Sequence, residues 1–133
     1  MPNYSDAELV YQIQKEVFER VARESPHALQ GLTSGRLALR MKFTTPQAEL
    51  LISGRSGQLE TTCGSTSLQP DFEIVLTANT VHQVMLGKLR LSQAIARGLI
   101  KWNGPLWKVP MLTDLFHAAQ RVYPTVLKQR GLM

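Results

Sequence analysis

Three histidines, His27, His82 and His117, are the side chains best suited to proton transfer or metal ligation near neutral pH. None has a second histidine at a ligand spacing and no His-Glu-x-x-His pattern occurs, so neither a metal centre nor a histidine base is expected. No serine sits in a Gly-x-Ser-x-Gly elbow. The run Ser53-Gly54-Arg55-Ser56-Gly57 is glycine-rich, but it precedes a strand-like segment rather than a helix. It therefore lacks the dipole and lysine of a phosphate loop and reads as a hairpin turn. Cys63 is the single cysteine, which excludes an internal disulfide and a cysteine-based metal site; in a strand it is expected to be a small buried apolar residue. No catalytic residue, metal or cofactor is expected, and the chain does not read as an enzyme.

The chemistry that remains is the holding of an apolar molecule. A cavity for one needs walls of adaptable or flat apolar groups with few buried polar ones. Met41, Met85, Trp102, Trp107, Met111 and Phe116 are the candidates, because thioethers fit irregular shapes and aromatic rings stay rigid.

The elements that must position these residues follow from periodicity. Ser5-Asp6-Ala7-Glu8 fits a capping box, and Leu9, Val10, Ile13, Val17, Phe18 and Val21 recur at helical spacing, predicting a helix over 5–24 that Pro26 ends. Residues 26–35 read as a loop with a short turn near Ala28 and Leu29. Strict alternation over 36–43 predicts a strand with Leu37, Leu39, Met41 and Phe43 on one face and Arg36, Arg40 and Lys42 on a wet one. A turn at Pro46 leads to a second strand over 48–53, a third carries Leu59, Thr61 and Cys63 inward, and a fourth runs from Phe72 to Leu76, all read as a meander. Asn79 or Thr80 is placed to cap a helix with Val81, Val84, Met85 and Leu89 on one stripe. In Gly87 to Gly104 a helix stop, a one-turn helix capped by Ser92, a second stop at Gly98 and a strand with Ile100 and Trp102 are compressed into eighteen residues. Beyond the linker between Pro105 and Pro110, a long stripe of Leu112, Leu115, Phe116, Ala119, Val122 and Val126 predicts a helix that Pro124 kinks or restarts.

At 133 residues the chain is long enough for one domain with a real core, and 44% hydrophobic and 19% charged residues suggest neither disorder nor a membrane span. The N-terminal MPNYSDAELV lacks the basic flank and apolar block of a secretory signal, and Gly131-Leu132-Met133 is no peroxisomal address, so a cytoplasmic location is expected. The net charge of +5 favours an acidic partner surface, but without a basic run, an RNP-like aromatic motif or zinc-finger spacing no nucleic-acid partner is expected. Lys88, Arg90, Arg97, Lys101 and Lys108 are instead candidates for transient contact with an anionic membrane surface.

Gly87, Lys88, Leu89, Ala94, Gly98 and Gly104 register without a gap on a pattern that resembles the sterol carrier protein 2 (SCP2) sterol-transfer domain family. The chain departs from it at Leu91, where the family often has Pro, and at Ile95 and Ala96, where it often has Phe-Met. The resemblance implies an α+β fold in which a five-stranded, mostly antiparallel sheet is covered on one face by helices, with an apolar tunnel between the layers. It implies a single domain over 1–133, with its core over 35–123 and a C-terminal helical tail over 124–133. The implied function is lipid binding or lipid transfer, with a fatty acyl, acyl-CoA, sterol-like or phospholipid ligand. The alternative is a non-catalytic accessory subunit of an enzyme of lipid, isoprenoid-quinone or acyl-CoA metabolism, with a homodimer or enzyme partner. The tunnel lining expected on this basis is Met85, Leu89, Ala94, Ile95, Ala96, Trp102, Trp107, Met111, Leu115 and Phe116. Ile95 and Ala96 replace bulkier residues, so the cavity is expected to be wider there.

Overall fold

The computed structural model describes residues 6–108 and 110–132, with only the backbone described for Leu106 and Met111. The first helix, α1 (Ala7–Glu24), is capped by Asp6, whose Oδ1 accepts the Leu9 N–H at 2.9 Å. The cap thus stands one residue later than the expected Ser5, which lies outside the described residues, because a carboxylate at this position accepts the same orphan donor. Residues 26–35 are more ordered than a loop: a 3₁₀ turn (Pro26–Leu29) runs into a short α2 (Gln30–Thr33), burying Ala28, Leu29 and Leu32.

Five strands follow: β1 (Ala38–Thr44), β2 (Gln47–Ser53), β3 (Glu60–Cys63), β4 (Phe72–Leu76) and, after two helices, β5 (Lys101–Asn103). β1 starts two residues later than its alternation suggests, since Arg36 has φ +52° and its neighbour Leu37 is still bonded back to the Leu32 carbonyl. The strand order is β3-β2-β1-β4-β5, with β1 and β4 parallel and the other pairs antiparallel. The meander expected of the first four strands therefore stops at β3.

The reason is visible on the outer face of the sheet. The Arg40 guanidinium donates to the carbonyls of Thr66 and Leu68, pinning the connection after β3 across β1, and it meets Glu49 on β2 at 3.3 Å and Glu73 on β4 at 3.4 Å. Asp71 Oδ2 then accepts the Ala38 N–H at 2.8 Å and pairs with Arg55 at 3.0 Å, which starts β4 beside the start of β1. A half-buried arginine between two carboxylates is worth more than an exposed pair, and it fixes register. Cys63, expected inside, is exposed on β3. β3 is an edge strand: Leu59 and Thr61 are half-buried beside Lys15, Glu19, Ala22 and Arg23 of α1, but Cys63 at the strand's end stays exposed.

Leu39, Met41, Phe43, Leu50, Ile52, Ile74 and Leu76 on the inner face pack with α1 and with three later helices in one core. α3 (Ala78–Met85) is capped by Thr77, not by Asn79 or Thr80: the Thr77 Oγ1 accepts the Thr80 N–H at 3.1 Å. α4 (Leu91–Ala96) starts after Arg90, whose N–H donates to the Gln93 Oε1 at 3.5 Å, so Ser92 lies inside the helix rather than at its cap. Gly98, at φ +74°, ends α4 as expected, and the Leu99 N–H bonds back to the Ala94 carbonyl. A 3₁₀ turn (Leu106–Lys108) precedes α5 (Pro110–Gln129), which runs through Pro124 as one helix. Of the kink or restart expected at Pro124, the restart does not occur. Val122, Tyr123, Val126 and Leu127 are buried on both sides of the proline, and their packing offsets the lost backbone bond.

Candidate functional site

α5 is tied to α3 by two hydrogen bonds. Tyr123 Oη lies 2.6 Å from His82 Nδ1 in the buried layer, with the rings edge-on at 5.6 Å, and Gln120 Nε2 donates to the Val84 carbonyl at 2.9 Å. Burial pushes the His82 imidazole below its ordinary pKa, with the Lys88 charge acting in the same direction, so the ring is held neutral.

Where α3 ends at Gly87 the chain turns away from α5 before α4 begins, and a cleft of about 380 Å³ opens between them. Its walls are Val84 from α3, Leu89 and Leu91 from the α3–α4 connection and the start of α4, and Phe116 from α5. Its rim is polar: Arg90 and Ser92 on one side, and Thr113, His117 and Gln120 along one edge of α5 on the other. An apolar interior with a few polar groups at the mouth, within the roughly 300–1,000 Å³ typical of small-molecule sites, suits an amphiphile. Among the described residues no group of three or more His, Cys, Asp or Glu side chains is placed to hold a metal ion, and no helix is long and apolar enough to cross a membrane.

Of the residues expected to line a tunnel, Leu89 and Phe116 meet at this cleft. Met85, Ala94 and Leu115 lie fully buried in the core. Ile95 and Trp102 are half-buried against it, and Ala96 is exposed. Trp102 packs on Phe72 at 5.6 Å and donates its indole N–H to the Gly104 carbonyl. Trp107 stands 69% exposed with the Lys108 ammonium 5.2 Å from its ring, and the side chain of Met111 lies outside the described residues. Sequence reasoning weighed His117 only as a base or metal ligand and did not place Thr113 or Gln120 at a site, although their helical spacing on the polar flank of the Phe116 stripe carried the signal. Lys88, Arg90, Arg97 and Lys101 are exposed, and among the described residues none of them forms an ion pair.

No protein-family model and no curated protein sequence matches the chain. Solved structures do. The sterol carrier protein domain 2 of Helicoverpa armigera superposes with a TM-score of 0.71 at 20% identity, covering 91% of this chain and 94% of that one. Palmitated sterol carrier protein 2-like 2 from Aedes aegypti does so with a TM-score of 0.58 at 18% identity, covering 81% of this chain and 94% of that one. A stereoselective inverting sec-alkylsulfatase from Pseudomonas sp. matches at 25% identity with a TM-score of 0.55 over 68% of this chain, which spans only 14% of the enzyme. The five-stranded sheet, its helical cover and superpositions that cover most of both chains together give the chain the sterol carrier protein 2 fold.

Proposed function

We propose that the protein is a non-catalytic lipid carrier. It takes up a molecule with a long apolar chain, of the fatty acyl, acyl-CoA, sterol-like or phospholipid class, between the sheet and the helices, with the cleft beside Leu89 and Phe116 as the entrance. The apolar-walled cleft carries this reading, and the palmitate on a neighbour of the same fold supports an acyl ligand. Burying a methylene contributes about 0.8 kcal/mol, so a chain of about 12 carbons gains roughly 10 kcal/mol before ordering and association costs. Micromolar affinity corresponds to about 8 kcal/mol net, so it is reachable without any specific hydrogen bond where those costs stay at about 2 kcal/mol.

The test is displacement of a fluorescent acyl probe from delipidated protein. Leu89→Asp places a carboxylate in the half-buried wall and is expected to weaken binding about tenfold or more while leaving the melting temperature within a few degrees. Unchanged affinity in a folded variant would remove the cleft from the binding path.

A further inference from the structure

Gln14, in the middle of α1, has no exposed surface, and neither its Oε1 nor its Nε2 has a hydrogen-bond partner among the described residues. Its neighbours on the buried face of the helix are Val10, Ile13, Val17, Phe18 and Val21, all apolar. Helical spacing sets its direction. Tyr11, three residues before, accepts the Glu49 N–H of β2, while Gln12, Glu16 and Arg20 on the other flank meet Gln129 and Arg130 at the end of α5. Gln14 therefore lies on the side of α1 that overlies the sheet, in the layer between sheet and helices. A leucine or methionine would fill the same volume without the penalty of a buried amide left unpaired, so an unfilled role accounts for the residue better than packing does.

We propose that Gln14 is a specificity-determining residue of the interlayer site, reading an uncharged group that both donates and accepts a hydrogen bond on an otherwise apolar ligand. This rests on the carrier reading given above. An alcohol or a protonated carboxyl satisfies both amide atoms at once, whereas an ether or ester oxygen satisfies only the N–H. An ionised head is excluded from this end, because the surrounding face of α1 offers no counter-charge. α5 connects the two ends of the site. Phe116 lines the cleft, and the 11 residues on to Leu127, beside the α1 contact, span about 16 Å. On this proposal the hydrocarbon chain runs from the cleft along the inner face of α5 towards α1 and continues between α1 and the sheet, where Gln14 lies.

The experiment uses the full chain, delipidated, and measures displacement of a fluorescent acyl probe by hexadecan-1-ol and by its methyl ether, in the wild type and in Gln14→Leu and Gln14→Met. The wild type is expected to prefer the alcohol by about tenfold, and both variants to bind the two ligands within about twofold of each other while still taking the probe. The Gln14 side-chain amide resonance, assigned by its loss in Gln14→Leu, is expected to shift with the alcohol and not with the ether. A wild type that binds both ligands equally overturns the proposal and leaves the carrier reading standing, as does an alcohol preference that survives in both variants. A wild type that takes neither ligand nor probe overturns the carrier reading itself. The wild-type comparison and the amide shift need no variant to fold.

Discussion

His82 is a buried histidine kept neutral, with its ring edge-on to Tyr123. A pKa lowered below the ordinary 6.5 means that the unfolded chain takes up a proton at this residue which the folded chain refuses. The stability this supplies is complete above about pH 6.5 and is lost as the pH falls below it towards the folded value. Denaturant unfolding at a series of pH values is expected to show that decline in the wild type and a flatter one in His82→Gln; parallel curves would mean His82 is not its source. At this scale the sequence singled out His82 but not its partner Tyr123, which lies 41 residues further along the chain. Cys63 was misplaced because period-two alternation gives the face of a strand but not how far along it the cover extends: Leu59 and Thr61 are half-buried beside α1, and Cys63 at the end of the edge strand is exposed. Desolvation still pushes the Cys63 thiol above its ordinary pKa, with Glu8 and Glu19 adding to the shift and Lys15 opposing it.

Two glycines show why the helices and strands stop where they do. At Gly98 an added Cβ would meet nothing within 4 Å, so Gly98→Ala carries only the strain of φ +74° and is expected to cost about 1 kcal/mol. At Gly54 the same Cβ would sit 2.6 Å from the Leu32 carbonyl carbon and 2.7 Å from the Thr33 nitrogen. Gly54→Ala must push α2 away from the end of β2, at a cost of about 1–3 kcal/mol. Chemical denaturation of both variants checks the order; a Gly98→Ala loss exceeding that of Gly54→Ala would contradict it. Helix and strand positions were readable from periodicity and these stops, but the caps were not. Thr77, Asn79 and Thr80 are all competent acceptors, and the choice falls to the hydroxyl the backbone brings to the Thr80 N–H. Nor does local pattern reveal that Pro124 is carried inside α5, because the buried residues that hold the helix together there take their partners from distant segments.

For the molecule as a whole, the five-stranded, helix-covered architecture came from the family resemblance carried by Gly87 to Gly104, a stretch whose turns decide which layers meet. The parallel β1–β4 pairing and the cleft were beyond it. The first depends on Arg40 gathering Glu49, Glu73 and the connection after β3, and the second on the separation between α5 and the end of α3. An apolar chain is expected to occupy the space between sheet and helices. Native mass spectrometry of protein purified without detergent tests this most directly. A co-purified amphiphile near one per chain, removed by solvent extraction and replaced on adding palmitate, is the expected result; protein that emerges bare and takes up no acyl chain at micromolar concentration would contradict it.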